Sequence, residues 1–312
     1  MNYMNKLNQP LVSICTTTYN REKYIGEAIE SCMMQKTNFP FEMVISDNCS
    51  TDKTVEIIES YIQKFPDKIR LLKSDKNYGL MLNYIKSIEA GTGKYIADCD
   101  GDDYWIDEYK LQKQVDFLEA NPDYVMVFTN SLIRYNEKGE EQVAKIKIWD
   151  TCNASQLIEH NSIEGVLYGE TINSPGHISS ILFRNNVLGS FPDWYYTCYI
   201  NDEPLFLMLS KFGKAKFIND LSTVYRINPL GISTDGFSFE TDILGRIAFY
   251  KNIDKFHEFQ YHKQINSLIS KYYLKLAKLY FNGNERLKAV LNLIVALRYD
   301  IRSLQKIKEK IN

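Results

Sequence analysis

Strand-like and helix-like patterns alternate at short spacing through the first 130 residues, and this rhythm restricts the possible folds more than any other feature of the chain. Leu11–Thr17, Phe41–Ser46, Ile69–Leu72, Tyr95–Ala97 and Tyr124–Thr129 are short apolar runs that predict strands. Between them, Arg21–Met34 places Tyr24, Ala28, Ile29 and Cys32 at helical intervals. Thr51–Phe65 does the same with Val55, Ile58, Ile62 and Phe65, and Leu80–Ala90 and Trp105–Ala120 complete the series. Such alternation predicts an α/β fold of right-handed βαβ units with a mostly parallel sheet flanked by helices. Ligands of such sheets bind beyond the carboxyl ends of the strands.

One of those ends is strongly acidic. Asp98 and the run Asp100-Gly101-Asp102-Asp103 follow directly on the predicted strand Tyr95–Ala97. Two carboxylates ~5 Å apart repel by roughly 3 kcal/mol at an effective dielectric of ~20. Clustered oxygen ligands of this kind suit a hard divalent cation, and Mg²⁺ is commonly held by one or two carboxylates together with substrate phosphates. The competing reading is an acidic surface turn that caps the helix after it.

The remainder is less strongly patterned. Residues 131–170 are polar, with a turn expected at Asn136-Glu137-Lys138-Gly139. A strand is expected at His177–Phe183, a helix at Glu203–Phe212, and two short strands at Ala215–Ile218 and Thr223–Ile227. From about Asp242 the pattern is helical. Ile265, Leu268, Ile269, Tyr272 and Leu276 form one apolar face, and Leu287, Val290, Leu291, Ile294 and Leu297 form a second. Residues 263–312 carry eleven Lys/Arg against three Asp/Glu, so this tail is either a solvated helical cap or a segment for an anionic membrane surface.

A net charge of −2 gives no bias toward nucleic acid. The six cysteines lack a C-x-x-C pair and predict free thiols in a reducing compartment. With no apolar leader and no run long enough to span a bilayer, a cytoplasmic chain is expected, peripheral to the inner face of the membrane if the tail binds there.

Taken in order, the motifs resemble family 2 glycosyltransferases of the GT-A fold. Val12-Ser13-Ile14-Cys15-Thr16-Thr17-Thr18-Tyr19-Asn20 is similar to that family's first strand and loop, and Val44-Ile45-Ser46-Asp47-Asn48-Cys49-Ser50-Thr51-Asp52 to its second. Asn77 with Gly79, then Gly93-Lys94-Tyr95-Ile96, then Asp98-Cys99-Asp100-Gly101-Asp102-Asp103 as the D-x-D motif, follow at matching spacing. The resemblance is strong over roughly 11–130. It thins over 175–227, where Ser180-Ile181-Leu182-Phe183-Arg184 and Asn201-Asp202-Glu203-Pro204-Leu205 still correspond, and no family motif lies beyond about 240. It implies a catalytic domain over 1–235, with a nucleotide-sugar half at about 11–130 and an acceptor half at about 131–235, then a helical subdomain over 236–312.

The resemblance also implies roles. Thr17 and Tyr19 would lie against the nucleotide base, and Asp47 and Asn48 would accept from it. Asparagine at 48 departs from the commoner Asp-Asp pair but keeps a carbonyl acceptor, so a UDP-sugar remains the expected donor. Asp100 and Asp102 would meet the ribose and the metal-bound diphosphate. Asp103 joins Asp102 as a candidate ligand of Mn²⁺ or Mg²⁺, and spacing leaves open which two touch the cation. Asp202 would be the general base that takes the acceptor hydroxyl's proton, with inversion at the anomeric carbon; its competing role is a helix cap ahead of Pro204. Glu203 is the fallback base, and Trp105 and His177 are candidates for the sugar or acceptor pocket.

The implied partners are a nucleotide-diphosphate sugar and a glycan or lipid-linked acceptor, in bacterial surface polysaccharide or glycoconjugate assembly. A sugar-phosphate nucleotidyltransferase would require a glycine-rich phosphate loop after the first strand. The loop Thr16–Arg21 has no glycine. A non-catalytic scaffold is the third reading, and the intact Asp100, Asp102, Asp103 and Asp202 speak against it.

Overall fold

The computed structural model of the chain describes residues 9–135, 140–143, 151–152, 176–227 and 239–301. Two compact units are present, one within Met1–Tyr196 and Ile200–Thr234, the other within Thr197–Tyr199 and Asp235–Asn312. The expected turn at Asn136–Gly139 lies outside the described residues.

The first unit opens with the expected alternation: β1 Val12–Thr18, α1 Ile25–Met33, β2 Phe41–Asp47, α2 Thr54–Lys64, β3 Ile69–Lys73, α3 Leu80–Ala90, β4 Tyr95–Asp98. Then follow β5 Tyr104–Trp105, α4 Lys110–Ala120, β6 Tyr124–Tyr135, β7 Glu140–Val143, β8 Thr151–Cys152, β9 Leu182–Arg184, α5 Asp202–Leu209 and β10 Lys214–Ile227. The sheet order is β3-β2-β1-β4-β9-β6-β10-β5, with β7 on β6 and β8 on β10. Strands β3, β2, β1 and β4 run parallel, whereas β9 is antiparallel to both β4 and β6. Helix α1 buries Ala28, Ile29 and Cys32 of the expected stripe together with Ile25, while Tyr24 is partly exposed at the N-cap. Ile25, Ile29 and Cys32 join Ile14, Met43, Ala97, Leu111, Val115 and Leu182 in one core.

Three of the departures from expectation have a local reason. Trp105 pairs with Thr223 in β5, and the helix begins five residues later. Ile106 N donates to the Ser222 carbonyl, and the Asp107 carboxylate accepts from Tyr109 N, so a side-chain turn postpones the helix. Within His177–Phe183 only the end is strand. His177 Nδ1 accepts from Ser179 N and Ser180 Oγ donates to the His177 carbonyl, which winds Ile178–Ser180 into a 3₁₀ turn. The two short strands expected at 215–227 are one, β10, interrupted by register shifts between Ile218 and Thr223 that absorb the polar Asn219-Asp220 pair.

The second unit is helical: α6 Phe239–Phe256, α7 His262–Asn282 and α8 Arg286–Tyr299. Helix α7 buries Ile265, Leu268, Ile269, Tyr272 and Leu276 as expected. Helix α8 carries its expected apolar face largely on the outside, with Leu297 partly buried. It buries Ala289 and Ala296, two turns apart, and leaves Leu287, Val290, Leu291 and Ile294 outside at 74, 51, 53 and 45% exposure. The small alanines permit close approach to α7, where Ser270 Oγ donates to the Ala296 carbonyl at 2.7 Å.

Gly93 shows how tightly β1 and β4 are joined. A Cβ there would stand 2.6 Å from Ser13 N and 2.8 Å from the Val12 carbonyl carbon, both backbone atoms. Gly93→Ala is therefore expected to destabilise the first unit by about 1–3 kcal/mol, measured as a lower urea midpoint. An unchanged midpoint would show that this junction can open freely.

Candidate active site

Parallel pairing sets the carboxyl ends of β1, β2 and β4 side by side, with Thr18 opposite Asp47 and Cys15 opposite Asp98. Beyond β4 the acidic segment keeps following β1: Cys99 N donates to the Cys15 carbonyl and Gly101 N to that of Thr17. Gly101 is sterically required, because a Cβ would lie 2.9 Å from Thr18 Cβ and 3.0 Å from the Thr17 carbonyl. The turn closes where Asp103 N donates to the Asp100 carbonyl.

The four aspartates occupy different surroundings. Asp98 is fully buried; Tyr84 Oη donates to its Oδ2 at 2.6 Å, and its Oδ1 has no partner among the described residues. Burial, then the charge of Asp100, push its carboxyl well above the usual range. Asp100 is partly exposed and accepts from Thr17 Oγ1 at 2.9 Å, while its backbone N–H donates to Ser179 Oγ. Desolvation first, then Asp103 and Asp102, raise its carboxyl to about 8. Asp102, also partly exposed, pairs with Arg21 Nε at 2.8 Å. Asp103 is enclosed at 1% exposure, accepting from Ser179 Oγ at 2.5 Å and from Arg226 N at 3.0 Å. Burial and Asp102 still drive its carboxyl upward.

Residues that the sequence reading did not single out hold this turn together. Ser179 bridges Asp100 and Asp103. Arg226 donates to the Asp102 carbonyl and to Glu27, with its guanidinium 4.3 Å from the Tyr104 ring centre. Arg21 faces Asp102. Signals existed: a Ser-Ser pair inside an apolar run, and cations at 21 and 226 flanking strands in a chain with a concentrated acidic turn.

The expected base-binding residues sit at the neighbouring strand ends. Tyr19 is 40% exposed on the loop after β1, and that loop is tied to the next by Asn20 Oδ1, which accepts from Thr51 N. Asp47 is buried and accepts from both Ser50 N and Ser50 Oγ. Asn48 is committed at both ends of its amide. Nδ2 donates to Asn77 Oδ1, and Oδ1 accepts from Tyr78 N. Its contacts thus secure the loop at Asn77–Gly79.

Trp105 lies in the core beneath the turn, with Nε1 donating to the Ser179 carbonyl and the Lys110 ammonium 4.1 Å from a ring centre. It is 1% exposed. His177 stacks on Tyr225 with centroids 4.0 Å apart, and burial lowers its imidazole to about 3. The ring is neutral, with Nδ1 3.4 Å from Asp103. Asp202 begins α5, while the N-cap position belongs to Asn201, which makes no side-chain cap bond. Asp202 Oδ1 accepts from Glu203 N at 2.7 Å, and its charge reaches both Asp98 and Asp100. Asp202 and Glu203 are both partly exposed.

Among the described residues no three His, Cys, Asp or Glu side chains converge into a ready-made metal cage. The donor set nevertheless fits a hard divalent cation. Asp100 and Asp102 present accessible oxygens with repulsion to relieve, and such ions complete their shell from phosphate and water.

A family model described as glycosyl transferase family 2 matches residues 13–173, and the sheet has the curled, mostly parallel form of GT-A proteins. The chain belongs to the family 2 glycosyltransferases. It is 36% identical over 110 residues to the putative teichuronic acid biosynthesis glycosyltransferase TuaG of Bacillus subtilis, covering 35% of this chain and 42% of TuaG. The chain spans about half the length, or less, of the curated relatives it matches. By structure it is similar to the 1–349 fragment of S. aureus TarS in complex with UDP-GlcNAc, with a TM-score of 0.64 at 17% identity over 92% of this chain and 81% of that one. It is also similar to mannosyltransferase PcManGT of Pyrobaculum calidifontis in complex with GDP-Man and Mn²⁺, with a TM-score of 0.54 at 15% identity over 95% and 87% of the two chains.

The raised Asp100 carboxyl fixes the sign of a pH effect. The folded state keeps this proton up to about 8, whereas the unfolded chain releases it near the ordinary value of 3.8. Between those values the folded state binds more protons, so stability falls as pH rises. In chelator-treated protein the thermal midpoint should drop across this window, and Asp100→Asn should flatten the slope. An identical slope in the variant would contradict the assignment.

Proposed function

We propose that the chain transfers a sugar from a nucleoside-diphosphate sugar, a UDP-sugar, to a hydroxyl of a glycan or lipid-linked acceptor with inversion at the anomeric carbon. The observation that carries this reading is the acidic turn Asp100–Asp103, held at the adjoining carboxyl ends of β1, β2 and β4, in a chain that matches the family 2 model. Asp202, whose charge is felt at Asp98 and Asp100, supplies the further carboxylate. One side of such a site holds a donor diphosphate, and the other has a base for the incoming hydroxyl. The neighbouring proteins bound to UDP-GlcNAc and GDP-Man support this class of donor.

In this reading Thr17, Tyr19 and Asp47 line the nucleotide end, while Asn48 holds the loop that borders it. Asp102, with Asp100 beside it, would hold Mn²⁺ or Mg²⁺, which supplies Lewis-acid stabilisation of charge on the departing nucleoside diphosphate. Asp103 acts differently: enclosed with Ser179 and Arg226, it anchors the turn from below. The Mn²⁺ complex of PcManGT supports a divalent requirement. Asp202 removes the acceptor proton as that oxygen attacks C1 from the face opposite the diphosphate, so the configuration inverts. His177, neutral and stacked, shapes the pocket without exchanging protons near neutral pH. The name of TuaG supports a place in surface polysaccharide assembly.

Two substitutions separate these roles. Asp202→Asn should lower turnover by ~10²-fold or more while calorimetry finds donor affinity nearly unchanged; normal turnover would remove Asp202 as base. Asp102→Ala should abolish Mn²⁺-dependent heat of donor binding with the thermal midpoint retained in its absence. Undiminished metal-linked binding would remove the cation assignment.

A further inference from the structure

The outer face of α8 is unexplained by transfer chemistry. Leu287, Val290, Leu291 and Ile294 are each 45–74% exposed and fall at i, i+3, i+4 and i+7, a single stripe along the helix. The helix is not loosely placed, since its opposite side is fixed by buried Ala289 and Ala296. Scattered exposed aliphatic residues are ordinary, but four contiguous ones mark a contact surface.

The charge around the stripe selects its partner. Exposed Arg286 stands one turn before Val290, and exposed Arg298 one turn after Ile294. From residue 263 onward Lys and Arg number eleven against three Asp/Glu, in a chain whose net charge is −2, so positive charge is concentrated in this tail. An aliphatic stripe bracketed by cations matches the acyl and headgroup layers of an anionic bilayer. A second copy fits less well. The stripe spans two turns, short of the several heptads a coiled coil needs, and would bring like charges together. Among the described residues no helix is long and apolar enough to cross a membrane, so the contact is a surface one.

We propose that the Leu287–Ile294 stripe of α8, with Arg286 and Arg298, docks this protein on an anionic lipid surface. The proposal stands apart from the transfer reaction and is tested without it. The 312-residue protein is mixed with unilamellar vesicles of phosphatidylcholine alone, or of phosphatidylcholine and phosphatidylglycerol in equal parts, and separated by flotation. Flotation is expected with the anionic vesicles only, and should be lost at high salt. Leu291→Glu with Ile294→Glu should cut the bound fraction about tenfold or more, at an unchanged thermal midpoint and donor affinity. Arg286→Glu with Arg298→Glu should weaken binding to anionic vesicles in the same direction.

The proposal is overturned if wild-type protein stays with the lipid-free fraction, or if the Leu291/Ile294 variant floats equally well. It is also overturned if light scattering finds a wild-type dimer that this variant turns into a monomer, because a second copy would then cover the stripe.

Discussion

Confinement of like charge at the end of β4 is the constraint to which the site answers. Asp100, Asp102 and Asp103 share one turn above the buried Asp98, and burial first, then mutual repulsion, raises the carboxyls of Asp98, Asp100 and Asp103. The protein opposes this strain from several directions. Thr17 reaches from β1, Arg21 from the loop after it, Ser179 from the 3₁₀ turn before β9, and Arg226 from the far end of β10. Each donor comes from a different part of the sheet, so sheet topology and site electrostatics are one problem. Gly101 is the steric counterpart, allowing the turn to lie flat on Thr17 and Thr18 so that these donors can reach it.

This arrangement also divides the carboxylates by duty. Asp103 is saturated by neutral and backbone donors, which suits a permanent strut. The Asp102 carboxylate pairs with the partly exposed Arg21 guanidinium, a partner that can be exchanged at modest cost. Asp100 is intermediate, partly open yet carrying a proton more readily than a surface carboxyl. A cation arriving with a diphosphate would meet the two groups least committed to the framework.

Much of this was legible beforehand because it is local. The period-2 and period-3.6 patterns gave β1 through α3 to within a few residues, and the acidic run fell at a strand end as expected. What the pattern missed depends on distant contacts. Trp105 reads as a helix start until its pairing with Thr223 and its contacts with Ser31, Ser179 and Lys110 are seen. The hold that Asn48 has on the loop at Asn77 and Tyr78 was likewise invisible in the pattern. The apolar face of α8 reads as core because periodicity reports amphipathicity without saying which side a neighbour will occupy. Two alanines, weak in any hydrophobic count, decided that.

Strand β9 carries a last consequence. Three residues from the second half of the first unit, Leu182–Arg184, are slotted between β4 and β6, both made long before. The flanking turn delivers Ser179, and Arg226 arrives later still from β10. On a ribosome the nucleotide-side strands would emerge early with an open gap in the sheet and an unbraced acidic turn. Closing that gap joins segments far apart in sequence, a slow kind of step in which loop entropy is spent before contacts form. Synthesis would therefore have to pass Arg226 before a nascent molecule could brace its acidic turn.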